Sequence, residues 1–318
     1  MAIINSNLQE AIKWLNTDLV ALPTETVYGL AANATNVNLV SKIFEVKNRP
    51  TFDPLIVHFA NKKSVFNYIE TFPETLNKLA DLFWPGPLTL LLPKNNLIPE
   101  LVTSGSSLLG ARVPAHPLIA SLLQQIDFPL AAPSANPFGY ISPTSAQHVD
   151  AQLGDKIPFI LDGGSCEVGI ESTIVGEENG QLIIYRLGGI SIEQIQTAGF
   201  DPVLKLNQSS NPIAPGMLKK HYSPRKKILV AEILDNLIEA NANKKIALLT
   251  FQNELHFNVK YRFVLSPKGD LSEAASNIFE MLRLADDSDA DLIIAQLLPE
   301  VGLGRAINDR LMRSAAKA

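Results

Sequence analysis

Lys47 and Arg49 stand two residues apart in "EVKNRPTFDPLIVHF", just ahead of Pro50, with Asp53 and His58 close behind. Residues two apart do not share a helical face. Where Pro50 takes the chain out of helical geometry, however, both side chains can converge on one anion. A guanidinium offers phosphate a planar fork, and an ammonium a mobile point charge. The same cations suit a helix C-terminus with no ligand at all, so spacing alone leaves both readings open.

Other clusters carry chemistry of the same kind. In "LPTETVYGLAANA", residues 22–34, Thr24, Glu25 and Thr26 offer short polar groups after a strand, and Gly29 permits close backbone approach. Such loops are also ordinary turns. In "GARVPAHP", Arg112 lies in a short extended piece and can answer a carboxylate, while His116 reads equally as a turn residue. Ser134, Asn136 and Ser142 follow an apolar strand in "LAAPSANPFGYISPTSA", where α/β enzymes commonly bind ligands. "GIESTIV" places Ser172 and Thr173 in a strand, and Arg186 is a cation inside the apolar run "IIYRLGG".

Several chemistries find no pattern. The five histidines are scattered without metal-ligand spacing, and a single cysteine, Cys166, makes neither a disulfide framework nor a thiolate cage. No GxSxG, Walker or GxGxxG signature is present, so a nucleotide would bind by another mode. Residues 1–205 hold 12 Lys/Arg against 19 Asp/Glu, a balance that does not suggest a broad nucleic-acid face. Residues 206–227 hold five basic residues and no acidic one, either a solvated linker or an anion-contacting strap. The start has no basic-then-apolar leader and no apolar run reaches about 18 residues, so a cytoplasmic protein without membrane contact is expected.

The elements that must position these groups follow from periodicity. Helical spacing covers "NLQEAIKWLNT", residues 38–46, "TLNKLADLFW" and "HPLIASLLQQI", and short apolar strands fall at "DLVALP", "PLIVHFA", "PLTLLLP", "PLAAPSAN", "PFILDGG", "ESTIVGE" and "QLIIYRLGG". This alternation predicts an α/β domain, a twisted sheet covered by helices, over 1–205. Prolines break residues 206–227, read as a linker holding His221 and Tyr222, which docks on a surface or closes over a ligand. Strands at "KILVAE", "KKIALLTF", "YRFVLS" and "ADLIIAQLLP", with helices at "LSEAASNIFEMLRLADD" and "GRAINDRLMRSA", predict a smaller Rossmann-like α/β domain over 228–318.

The motifs "PTETVYGL", "KNRP", "DPLIVH", "LFWPGPLTLLL", "ARVPAHP", "APSAN", "ESTIV", "YRLGG" and "PGMLKKHYSP", in this order, resemble the long form of the L-threonylcarbamoyladenylate synthases. That form joins a YrdC-like domain to a smaller C-terminal one. The resemblance implies synthesis of threonylcarbamoyl-AMP and pyrophosphate from L-threonine, bicarbonate or CO2, and ATP with Mg2+. The product would pass to a tRNA threonylcarbamoyl transferase complex that modifies the adenosine 3′ to the anticodon, and direct tRNA contact is compatible with it. It also implies catalytic roles for Lys47 and Arg49, and ATP contacts at Arg49, Asp53, Ser134, Asn136, Ser142, Arg186 and Tyr222. Threonine contacts are implied at Thr26, His58, Arg112, Ala132 and Ser172. Ala31 departs from the Gly-Leu-Gly often found after the tyrosine. Two other classes compete: a non-catalytic RNA-binding module, and carbamoyl transfer from another donor, as in larger proteins with zinc-binding and acylphosphatase-like regions.

Overall fold

Short runs of apolar residues, buried on both faces in the central strands and exposed at the edges, build a wide sheet in the computed structural model, which describes residues 1–206, 221–253 and 257–316. Its strands are β1 (Ile3–Asn5), β2 (Val20–Leu22), β3 (Gly29–Asn33), β4 (Ile56–His58), β5 (Leu88–Pro93), β6 (Leu108–Arg112), β7 (Leu130–Ala131), β8 (Phe159–Leu161), β9 (Thr173–Glu178), β10 (Gln181–Arg186) and β11 (Val203–Leu204). They lie in the order β1-β8-β2-β3-β7-β4-β6-β5-β9-β10-β11. Hairpins make β2/β3 and β9/β10 antiparallel, whereas β4/β6 and β5/β9 are parallel, so the sheet is mixed.

A second sheet comprises β12 (Ile228–Ala231), β13 (Ile246–Thr250), β14 (Tyr261–Val264) and β15 (Leu292–Gln296), in the order β12-β15-β13-β14 and parallel throughout. The helices Leu271–Asp287 and Leu303–Ala315 complete this smaller Rossmann-like domain. The former is capped by Asp270, whose carboxylate accepts from the Ser272 and Glu273 amides and so satisfies donors a helix start leaves free.

The two domains share one apolar core. Cys166, Ile170 and Leu187 belong to the same buried cluster as Ile278, Phe279 and Leu282 of the smaller domain, with Tyr222 among them. At Gly169 (φ +73°) a methyl group would come within 2.4 Å of the Ser276 Cα, so only glycine lets this loop touch the helix.

Several elements differ from the periodicity. β3 pairs along residues 29–33, so half of the segment read as a loop is a hairpin strand. The strand at "PLAAPSAN" is only Leu130–Ala131, and Ser134 makes an isolated bridge to Gly29 after Pro133 bends the chain. Ser172 immediately precedes β9 rather than lying in it. The helices Ala146–Leu153 and Ile192–Thr197 have too few turns for a clear pattern. Of the expected linker 206–227, residues 207–220 lie outside the described residues. Among the described residues no helix is long and apolar enough to cross a membrane.

Candidate active site

The helix Val37–Lys47 starts at Asn36, whose side chain accepts from the Asn38 and Leu39 amides, and ends where Asn48 takes a left-handed conformation (φ +50°). Asparagine tolerates that region better than most residues. After this turned residue both side chains are buried, but they do not converge: Arg49 lines the cleft and Lys47 does not. Lys47 Nζ donates to the Ser134 carbonyl at 2.6 Å and to the Asn136 carbonyl, while Phe138 N donates to the Lys47 carbonyl at 2.9 Å. Burial, with Arg49 beside it, holds the Lys47 ammonium well below its ordinary basicity. Arg49 reaches the Asp53 carbonyl (3.1 Å), the Pro54 carbonyl (2.8 Å) and the Asp53 carboxylate (2.9 Å).

Arg49 faces a cleft with about 540 Å³ of empty space, part of it open to solvent. Thr26, His58, Arg112, Ala132, Ser134, Ser172, Arg186, His221 and Tyr222 share its wall. Sheet register explains much of this convergence. His58 and Arg112 are direct partners on parallel β4 and β6, so they project to one side. Gly29 sits where a Cβ would come 3.2 Å from that of Ala132, which lets β3 close against the Ala132–Ser134 turn. Ala31 packs with Leu15, Val20 and Leu22, so its methyl fills core space.

At one end of the cleft Arg112 is held by Glu25 (Nη2 to Oε1, 2.6 Å), by Thr26 Oγ1 (2.9 Å) and by the Gly86 carbonyl (3.3 Å). Thr24 donates its hydroxyl proton to the Val27 carbonyl at 2.7 Å, so the 2.7 Å Thr26–Thr24 bond has Thr26 as donor. The chain Arg112–Thr26–Thr24 is therefore directionally fixed. His58 is neutral here: burial first, then the Arg112 charge, push its pKa to about 3. Arg186 grips the Ser172 carbonyl through Nε (3.0 Å) and Nη2 (2.8 Å), and Nη2 also reaches Ser172 Oγ (3.0 Å). Burial lowers its pKa to about 10. Tyr222, in a left-handed conformation (φ +61°), stacks on Phe279 with ring centroids 5.5 Å apart, and His221 lies edge-on 4.1 Å from it.

Four of the expected residues stand behind the wall. Lys47 buttresses the Ser134–Asn136 turn from below, and Asp53 is the counter-charge of Arg49. Asn136 donates to the Pro137 and Tyr140 carbonyls (3.0 and 2.8 Å), and Ser142 donates to Glu171 Oε1 (2.6 Å). Glu171 lines the cleft and pairs with Arg310 from the smaller domain; it stands in "GIESTIV", where the sequence reading picks out Ser172 and Thr173 instead, and Arg310 stands in a plain helical pattern. Among the described residues no cluster of His, Cys, Asp and Glu is arranged to hold a metal ion.

Fold and site together define a YrdC-like α/β protein, joined to a Rossmann-like domain, whose cleft is lined by three buried arginines, Arg49, Arg112 and Arg186. Residues 14–188 match the family profile described as telomere recombination, of Sua5, YciO and YrdC, and residues 190–316 match the C-terminal domain of threonylcarbamoyl-AMP synthase. The chain is 37% identical to the threonylcarbamoyl-AMP synthase of Pyrococcus abyssi over 308 residues, covering 93% of this chain and 90% of that one. It is also 37% identical to that of Bacillus subtilis over 319 residues, covering 96% and 92%. The crystal structure of P. abyssi Sua5 complexed with L-threonine superposes with a TM-score of 0.93 at 34% identity, over 99% of this chain and 98% of the other. The chain belongs to the threonylcarbamoyl-AMP synthase family.

Proposed function

We propose that this protein joins L-threonine, bicarbonate or CO2, and ATP into threonylcarbamoyl-AMP and pyrophosphate, with threonine at the Arg112 end of the cleft and the nucleotide at the Arg49–Arg186 end. The observation that supports this division is that three buried arginines line one cleft on different anchors, Arg112 on Glu25, Arg49 on Asp53 and Arg186 on Ser172. The L-threonine complex of the P. abyssi relative supports threonine as a substrate.

Arg112 receives the threonine carboxylate, with Thr26 and neutral His58 as hydrogen-bonding neighbours and Ser172 and the Ala132 backbone completing the pocket. The amine, held unprotonated, attacks CO2 to give a carbamate and release a proton; starting from bicarbonate, the balance releases water. A carbamate oxygen then attacks the α-phosphorus of ATP, the bridging Pα–O bond breaks, and pyrophosphate leaves with the electron pair. Two anions must be held in line against their repulsion, so positioning and charge supply most of the catalysis. Arg49 and Arg186 face the phosphates, Ser134 and Tyr222 contact the nucleotide, and Lys47, Asp53, Asn136 and Ser142 fix the turn and the arginine from behind. ATP enters as its Mg2+ complex, which spreads charge on the departing pyrophosphate. His221 and Tyr222 cover the cleft, protecting the labile carbamate and mixed anhydride from water. The product then passes to a tRNA-modifying transferase.

The test is pyrophosphate release by the full chain with each substrate omitted in turn, alongside Arg49→Ala. Release is expected only with threonine, bicarbonate and ATP together, and to fall at least about a hundredfold in the variant. Full activity in Arg49→Ala would overturn the nucleotide assignment.

A further inference from the structure

The smaller domain reaches the nucleotide end through two buried arginines. Arg283, on the helix Leu271–Asp287, donates to the carbonyls of Ile141 and Ser142. Arg310, on the helix Leu303–Ala315, sets Nε and Nη2 each 3.1 Å from Glu171 Oε2, and Nη1 2.6 Å from the Leu187 carbonyl. The other carboxylate oxygen of Glu171 accepts the Ser142 hydroxyl at 2.6 Å. The Arg310 guanidinium also lies 5.5 Å from the centroid of the Tyr222 ring, within cation–π range.

Glu171 is an anion in the wall of a cleft read here as receiving a polyanion. Unpaired, it would repel the triphosphate in a poorly screened site. Paired with Arg310 it becomes a neutral fork that holds Ser142 from one side while the guanidinium seats Tyr222 from the other. We propose that Arg310 is a positioning residue for ATP, acting through Glu171 by neutralising the carboxylate that holds Ser142, so that the smaller domain is part of the nucleotide site. This rests on the reading that Ser142 belongs to the nucleotide end. Its mark is selectivity: the hydrogen bonds of Arg310 go to Glu171, Leu187 and Ala306, and none to Arg112, His58 or Thr26 of the threonine end.

The experiment measures pyrophosphate release by the full chain, with ATP varied at saturating threonine and bicarbonate and then threonine varied at saturating ATP. Arg310→Met is expected to raise KM for ATP about tenfold or more, the scale of one lost charge-assisted interaction, and to leave KM for threonine within about twofold. The double variant Glu171→Gln/Arg310→Met removes the orphaned carboxylate along with its partner and should recover most of the ATP KM. A merely structural pair would move the ATP and threonine KM values together. Equal rises in both KM values, or a double variant no better than Arg310→Met, would overturn the proposal. Should Arg310→Met fail to fold, the double variant is compared with Glu171→Gln: similar ATP KM values support the proposal, and a tenfold excess in the double variant overturns it. Wild type that releases pyrophosphate without requiring threonine and bicarbonate would instead defeat the underlying functional reading, separately from these variants.

Discussion

Replacing His58 by glutamine should remove a definable part of the protein's acid sensitivity. The imidazole is buried on β4, and burial together with the Arg112 charge lowers its pKa from 6.5 to about 3. Between those values the unfolded chain binds a proton that the folded one refuses, so stability falls as pH falls through this window and is fully present above it. Going from pH 7 to pH 5 costs about 2 kcal/mol from this one residue, because the unfolded imidazole is almost fully protonated at pH 5 and the folded one is not. His221, also buried and shifted in the same direction, adds to the loss in both proteins and cancels in the comparison. The assay is urea unfolding followed by tryptophan fluorescence at pH 7 and pH 5. Both tryptophans, Trp14 and Trp84, lie in the larger domain with His58. His58→Gln should lose about 2 kcal/mol less than the parent between the two pH values. Losses equal to within about 0.5 kcal/mol would mean that the folded imidazole takes up the proton and that the burial argument fails.

Three other outcomes follow from particular contacts. Lys47→Met leaves the Ser134 and Asn136 carbonyls without their buried donor, so it should abolish pyrophosphate release and destabilise the protein by about 1–3 kcal/mol per orphaned group, read from the urea midpoint. Glu25→Gln removes the carboxylate 2.6 Å from Arg112, so added L-threonine should raise the melting temperature more in the variant than in the parent. Equal shifts would speak against Arg112 as the carboxylate receptor. If, as proposed, the metal enters only with ATP, chelating Mg2+ should stop pyrophosphate release and leave the unfolding midpoint of the ligand-free protein unchanged; a lowered midpoint would point to a resident ion.

What could be read in advance depended on how local the determining interaction was. The helix Leu271–Asp287 carries several turns of periodic pattern and matches the sequence reading end to end. β8 falls in the apolar run "PFILDGG" and reads as a strand, whereas β1, three residues long and largely exposed, is legible only from its pairing with β8. Lys47 and Arg49 were visible as a pair, and their meaning hung on the backbone of the residue between them; Asn48 is a residue type that favours such a turn. Asp53 reads from spacing as one more polar neighbour, and only the fold turns it under Arg49 as a counter-charge. The Glu171–Arg310 pair had no local signal, because its partners come from separate domains.

The placement of β8 between β1 and β2 has a consequence for how the molecule is made. Phe159–Leu161 must insert between strands near residues 4 and 21, and Ser134 must find Gly29, before the cleft has walls. Such distant pairings close long loops at an entropic cost and slow the search for the native topology. A growing chain therefore carries β1 and β2 as unsatisfied edges through much of its synthesis, open to pairing with other chains. Catalytic competence arrives late in folding, when the middle of the sequence threads back into its beginning.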